Sequence, residues 1–219
     1  MASSTVEDYL KQIYLEQQLL EGNVPSGRIA ELMEVAPGTA TSMLKTLEKS
    51  GLVVYKSRNG ARLTENGEAL AIHVLRRHRL IEQFLVEVLE YDWGEVHEEA
   101  ELLEHVISEK LLGKIDHHLG YPEVDPHGDP IPSAAGILRQ RELIPLAACS
   151  KGQKIKIARI LNQGKKFLDY LSERELLPGA IVVVEDVDEI ADAITVKTAS
   201  GDSFFLGVRT AADILVQQN

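Results

Sequence analysis

Cysteine is nearly absent: Cys149 is the single one in 219 residues. No internal disulfide forms, and a reducing cytoplasm is the simplest home. Long apolar runs are missing too, since none approaches the ~20 residues that cross a bilayer. The opening MASSTVEDYL has no basic stretch leading into an apolar core, so neither a membrane partner nor a secretion signal is expected. The chain contains no nucleophile elbow and no phosphate-binding glycine loop, which argues against an enzyme. Positive charge is also short, with 23 Lys and Arg against 34 Asp and Glu and a formal net charge of -11. That sum counts against a nucleic-acid partner, because phosphate contacts are made largely by Lys and Arg. Distribution matters more. Residues 41–80 hold Lys45, Lys49, Lys56, Arg58, Arg62, Arg76, Arg77 and Arg79 against Glu48, Glu65 and Glu68, and the balance reverses from 81 to 142.

What is present, 44% hydrophobic and 26% charged residues, is the composition of a soluble globular protein long enough for two or three small domains. The stretch VEDYLKQIYLEQQLL spaces Val6, Leu10, Ile13 and Tyr14 as a helix that ends at Gly22-Asn23. PSGRIAELMEV and TATSMLKTLEKSGL read as two short helices joined through APGT, and LVVYKSRNGARLTENG alternates around Asn59-Gly60 as a hairpin. Helix, turn, helix, hairpin is the plan of a winged helix-turn-helix over 1–74. Its second short helix offers Pro37, Gly38, Thr39, Thr41, Ser42 and Lys45 to a major groove, and the hairpin tip offers Lys56, Arg58 and Arg62 to phosphates. The competing reading of the tip is a set of solvated hairpin charges.

Helical patterns then run from Glu68 to about Leu89 and from about Trp93 to Leu119. Their apolar continuity suggests a buried helix pair over 75–120 and a homodimer interface. YPEVDPHGDPIPSAAG carries four prolines, so 121–144 is read as a linker. The short apolar runs IKIARIL, AIVVVEDV, AITVKTA and DSFFLGV give a small antiparallel β domain over 145–219. The fold class expected is mainly α with small β.

VHEEAELLEHV, residues 96–106, crowds four glutamates and two histidines together. Like charges so close repel one another, and a divalent cation would neutralise them. His97, Glu101, Glu104 and His105 share one helix flank, and His78 and Glu82 stand one turn apart on the preceding helix. Carboxylates with imidazole suit Mn(II), Fe(II) or Zn(II), and no thiolate lies near. A catalytic zinc site of the His-Glu-x-x-His kind is absent, since 97–101 reads HEEAE.

The winged helix, HRLIE, VHEEAELLEH and PHGDPIP, in that order and ahead of a small β domain, resemble the diphtheria toxin repressor and manganese repressor family of metal-activated transcriptional regulators. The resemblance covers essentially the whole chain. It implies a metal-loaded homodimer on a palindromic operator in double-stranded DNA, repression of metal-homeostasis genes, and a C-terminal FeoA-like β-barrel. It implies a primary metal site of Asp8, Glu101, Glu104 and His105 and an ancillary site of His78, Glu82 and His97. Iron-responsive members carry Met at the position of Asp8 and Cys at that of Glu101, so the resemblance favours Mn(II), with Fe(II) as the alternative. Two positions depart from the pattern. Lys11 replaces a glutamate of many two-domain manganese regulators, which argues for a mononuclear primary site. LNQGKKF offers only Asn162 or Gln163 as a ligand from the β domain. Two rivals stand beside this reading: a metal-independent winged-helix regulator sensing an organic ligand, and a metalloenzyme that uses the winged helix for assembly.

Overall fold

The computed structural model describes residues 3–20, 22–139 and 141–218, with eight α-helices and eight strands among them. The chain forms two compact units. The first comprises residues 1–78, 102–109 and 132–137, the second residues 79–101, 110–131 and 138–219.

The first unit begins with α1 (Ser4–Leu20), α2 (Ser26–Leu32) and α3 (Pro37–Lys49), followed by β1 (Val53–Lys56) and β2 (Gly60–Leu63). Helical spacing gives α1 a buried stripe of Tyr9, Leu10, Ile13 and Tyr14, and α3 one of Ala40, Leu44 and Leu47. Pro37 at the start of α3 loses nothing, because the first amides of a helix have no partner within it. APGT therefore opens the helix as well as turning the chain. The hairpin turns through Ser57, Arg58 and Asn59, with Lys56 opposite Gly60. Gly60 has φ +83, and a Cβ there would strike the Val24 carbonyl oxygen, so only glycine lets β2 lie against Val24. The Glu16 carboxylate receives both Arg28 Nε and Nη2, at 3.1 and 2.9 Å, tying α2 to α1. The Leu63 amide donates to Gln17 Oε1 at 2.7 Å, tying the hairpin to the same helix. Winged helix and α1 thus form one body.

Helix α4 (Glu65–Leu89) starts where the Thr64 hydroxyl caps the Gly67 amide. The single helix expected over 93–119 is instead two, α5 (Val96–Leu103) and α6 (Glu109–His118), separated by a turn at 104–108. The amides of Val106 and Ile107 both close on the Leu103 carbonyl. Two β-branched residues and Ser108 supply little helix propensity to resist that break. Nor is the pair apolar and covered throughout, for Leu102 and Val106 are 70% and 75% exposed.

The second unit is built on β3 (Ile144–Pro145), β4 (Lys154–Ile160), β5 (Ile181–Asp188), β6 (Ala193–Lys197), β7 (Ser203–Gly207) and β8 (Ile214–Gln218). They form one antiparallel sheet in the order β3-β8-β4-β5-β6-β7. Ile155 and Ile157 alternate inward with Lys154 and Lys156 outward. An irregularity between Ile157 and Arg159 then shifts the phase, so Ile160 also points inward. Two helices absent from the sequence reading, α7 (Lys165–Ser172) and α8 (Val208–Ala212), complete this core with Leu168, Leu171 and Ala211.

Candidate metal centre and nucleic-acid face

In the first unit α1 brings Glu7, Asp8 and Lys11 to the turn that follows α5, where Glu104 and His105 stand. Asp8, Glu104 and His105 each offer a ligand atom, all within 4.8 Å of one another. His105 Nε2 lies 2.9 Å from Asp8 Oδ1 and 3.4 Å from Glu104 Oε1. Its Nδ1 lies 2.7 Å from Glu7 Oε2. That second contact is chemically specific. With Nδ1–H donating to Glu7, the Nε2 lone pair faces the two carboxylates, the arrangement in which an outer carboxylate orients a metal-binding imidazole.

Glu104 is fully buried, and both of its oxygens are engaged. Lys11 Nζ donates to Oε1 at 2.7 Å and His78 Nδ1 lies 2.6 Å from Oε2. Lys11 is itself 3% exposed. Arg77 Nη2 meets Glu7 Oε2 at 3.1 Å. Glu7 and Glu104 thus lie against the cationic side chains of Arg77 and Lys11, and Asp8 adds a third carboxylate whose charge a bound cation would offset. Access is possible, because the Asp8 and His105 side chains are 29% and 16% exposed. The donor set is two carboxylates and an imidazole without sulfur, which fits Mn(II), Fe(II) or Zn(II).

The other expected ligands fall as follows. Glu101, on α5, stands 3.5 Å from His97 Nε2 one turn back, and His97 Nδ1 is 3.2 Å from Glu82 Oε1. Glu82 and His97 of the expected ancillary set thus meet within the second unit, while His78 engages Glu104 in the first. Gln163 donates to Asp129 Oδ2 at 2.6 Å, and Asn162 Oδ1 accepts from the Gly164 amide ahead of α7. The crowding of glutamates has a partly local cause. Glu98 and Glu99 occupy the first turn of α5, where the helix dipole favours negative charge, which leaves Glu101 and Glu104 as the acidic residues the helix does not need.

Four functional candidates escaped the sequence reading: Glu7, Asp125, His127 and Asp129. Glu7 sits one residue before Asp8, and only its burial against Arg77 and His105 distinguishes it from a solvated glutamate. The other three lie in the proline-rich segment read as a linker, yet they are 3%, 0% and 6% exposed. Asp125 Oδ1 accepts from the amides of His127 and Asp129, both at 2.9 Å. Burial, then the charges of Asp129 and Glu82, push its carboxyl well above the usual carboxylate range, with Arg79 opposing. The clue in the sequence was Asp-Pro-His-Gly-Asp itself, since Gly128 has φ +88 and a Cβ there would strike the Ala158 carbonyl oxygen.

Of the residues read as DNA-facing, Pro37, Gly38, Thr39, Ser42 and Lys45 are exposed on α3, and Thr41 is half-buried. Ser42 Oγ donates back to the Gly38 carbonyl at 2.9 Å. Lys56, Arg58 and Arg62 are exposed on the hairpin. The basic count over 41–80 is corrected by burial. Arg76 donates to the Pro132 carbonyl, Arg77 pairs with Glu7, and Arg79 faces Asp125 and Asp129. Those three arginines are internal, and the outward positive charge rests on α3 and the wing.

A winged helix carrying a carboxylate–imidazole centre against its first helix is the architecture of a metal-dependent regulator. Comparison with known proteins agrees. Residues 1–61 match the iron dependent repressor N-terminal DNA binding domain, 64–133 the iron dependent repressor metal binding and dimerisation domain, and 144–218 the FeoA domain. The diphtheria toxin repressor of Corynebacterium efficiens is 30% identical over 224 residues, covering 90% of this chain and 96% of that protein. The iron-dependent repressor IdeR of Mycobacterium tuberculosis (strain ATCC 25618 / H37Rv) is 42% identical over 130 residues, 58% of this chain. That match spans about half, 55%, of the mycobacterial protein's length. A solved manganese-dependent transcriptional repressor in complex with manganese is 36% identical with a TM-score of 0.86, over 98% of this chain and 100% of that one. The manganese regulator SloR gives 32% and 0.74 over 98% of each. The chain belongs to the family of metal-dependent transcriptional repressors that includes the diphtheria toxin repressor.

Proposed function

We propose that this protein is a metal-activated repressor, responding chiefly to Mn(II), that binds a palindromic operator in double-stranded DNA as a homodimer and controls metal-homeostasis genes. The observation that carries this reading is the gathering of Asp8, on the helix that braces the winged helix, with Glu104 and His105 of the turn after α5, their donor atoms within 4.8 Å of one another. Glu101 is the remaining ligand of the proposed primary site, and His78, Glu82 and His97 those of the ancillary one. Bound metal supplies a divalent charge for the excess carboxylate. Asp8 then holds α1 to the Glu104–His105 turn, and Glu7 keeps the His105 ring turned with Nε2 toward the site. Because α1 carries Gln17 against the wing and Glu16 against α2, fixing α1 fixes how α3 is presented. Two recognition helices reading half-sites roughly 34–36 Å apart require such fixing.

Oxygen donors at Asp8 and Glu101, where iron-responsive relatives carry sulfur, favour Mn(II) over softer ions. The exposed Leu102, in the last turn of α5, and Val106, just beyond it, suit cover by a second copy. The domain division proposed is 1–74, 75–120, a connecting segment over 121–144, and 145–219.

The test is anisotropy of a labelled fragment of the gene's own upstream DNA with chelator, Mn(II), anaerobic Fe(II) and Zn(II). A steep rise in affinity with Mn(II), lost by more than ~100-fold in Asp8→Ala protein that remains a folded dimer, is the expected result; ligand removal abolishes the switch because a population shift from 1:99 to 99:1 needs ~5.5 kcal/mol. A steeper response to Fe(II) would make this an iron regulator. Affinity indifferent to every metal would transfer the reading to an organic-ligand regulator.

A further inference from the structure

We infer that the turn between β5 and β6 is a docking knob, acidic around an exposed isoleucine, and that its partner is the wing of a second copy of this chain. Strand β5 pairs with β6 as far as Asp188 opposite Ala193, and the turn between them carries Ile190 at 100% exposure. An exposed isoleucine alone is ordinary. This one is held out on a fixed turn. Asp188 Oδ1 accepts from the amides of Ile190 and Ala191, both at 2.9 Å, and the Val208 amide donates to the Asp192 carbonyl at 2.9 Å. Asp192 takes a left-handed φ of +51, which aspartate tolerates better than most residues. An apolar side chain on a turn already ordered loses little freedom when it is covered. The charge around it is of one sign: Asp188, Glu189 and Asp192 flank it, and residues 187–196 hold no Lys or Arg. Asp186, the next carboxylate back, is paired with Lys151 at 2.9 Å.

The wing has the inverse pattern. Residues 53–63 hold Lys56, Arg58 and Arg62 and no Asp or Glu. Val54 stands directly opposite Arg62 across the hairpin, and Lys56 is two residues on, so alternation puts all three on one face. That face is the exposed one, and Val54 itself is 53% exposed. An apolar residue flanked by three cations on the wing thus matches one flanked by three carboxylates on the β5–β6 turn. Opposite charge brings such surfaces together and suppresses wrong partners. The turn spans only residues 189–192, so it covers far less area than a stable interface, and the contact is weak and reversible. While docked, it covers cations that the proposed regulator offers to phosphates. Only that consequence rests on the regulator reading; the contact itself does not.

Disulfide trapping suits so weak a contact, and Cys149, the single native cysteine, is buried. Full-length chain carrying Ile190→Cys is mixed with full-length chain carrying Val54→Cys in chelator, and linked peptides are measured by mass spectrometry. Because the two new thiols sit on different chains, a link between positions 190 and 54 forms only between copies. The expected yield is several-fold above that with Leu161→Cys, a residue 46% exposed in the same unit, in place of Ile190→Cys. It falls as salt shortens the Debye length from ~10 Å at 0.1 M to ~3 Å at 1 M. Adding Glu189→Lys to the first chain lowers the yield, as does Arg58→Glu on the second, and the two reversals together restore it. All the substituted side chains are exposed, so the fold is retained, which circular dichroism checks. A yield no higher than the Leu161→Cys control, one indifferent to either reversal, or one that the paired reversals fail to restore overturns the docking. Neither DNA nor metal enters the measurement, so failed docking and a failed regulator are told apart.

Discussion

Two clusters in this molecule use the same chemistry, carboxylates with a histidine, and differ in what surrounds them. At Asp8, Glu104 and His105 two ligands are partly exposed, and two buried cations, Lys11 and Arg77, lie against Glu104 and Glu7. At Glu82, Asp125 and His127 everything is buried, the loop is pinned by amides, and one ring nitrogen has no protein partner. The lesson concerns exchange. A centre that must sense metal needs an open route and a protein-only state that is tolerable without the ion, which the Lys11–Glu104 pair provides.

The strongest way to break this contrast is Glu104→Ala. It removes the buried carboxylate that Lys11 and His78 share, and breaking a buried ion pair by removing one partner costs ~3–5 kcal/mol. Urea unfolding in chelator should show that loss. A change below ~1 kcal/mol would mean that water reaches Lys11 and that the metal-free centre is not held by this pair.

Next is Glu7→Gln, which keeps the side-chain shape and removes the charge that orients His105. Outer-shell changes of this kind lower metal affinity by ~10–100-fold. Competition with a fluorescent chelator measures it, and an unchanged Mn(II) affinity would remove Glu7 from the centre. A helical surface glutamate with no role predicts no change, so the experiment also judges what the sequence concealed.

The sequence was informative where a period or a fixed spacing carried the signal. The stripe on α1, the Asn59-Gly60 turn and the alternation of Ile155 and Ile157 could all be read without coordinates. Histidines and glutamates at helical spacing marked His97, Glu101, Glu104 and His105, although Glu104 and His105 lie beyond the helix end. What escaped was set by tertiary contact. Arg76, Arg77 and Arg79 count toward the basic stretch of 41–80 and are internal, since nothing local distinguishes a paired arginine from a solvated one. Asp125 and His127 sat among prolines, and proline excludes regular structure but says nothing of burial. Helices α7 and α8 are too short for periodicity to find.

Lys11→Met sharpens the contrast by pushing the open centre toward the closed one. The ammonium occupies Glu104 Oε1 and repels an incoming cation. A unit charge about 4 Å away at an effective dielectric near 20 acts with ~4 kcal/mol, of which screening in a partly open site leaves a fraction. Mn(II) affinity should therefore rise by roughly tenfold while chelated protein becomes less stable. The two signs are opposite, and that opposition is the test. If affinity falls with stability, Lys11 positions Glu104 for the metal and does not compete with it.

The smallest expected effect separates what the fold needs from what DNA needs. Gly128 is required by the fold, because its backbone is left-handed and its Cα abuts the Ala158 carbonyl. Gly38 is not: its backbone is helical, and a Cβ built there meets nothing within 4 Å. On folding grounds alanine is better by ~0.5–1 kcal/mol in a helix interior, and less at the second position of α3. A Gly38→Ala protein should thus melt at the same temperature or slightly higher. Glycine at an open, exposed position at the start of a recognition helix makes sense if a second surface approaches the backbone closely. The Mn(II)-loaded variant should then bind its operator several-fold more weakly, with metal affinity unchanged. Wild-type DNA affinity in Gly38→Ala would show that the first turn of α3 stays clear of the groove, and would move the reading surface toward Ser42 and Lys45.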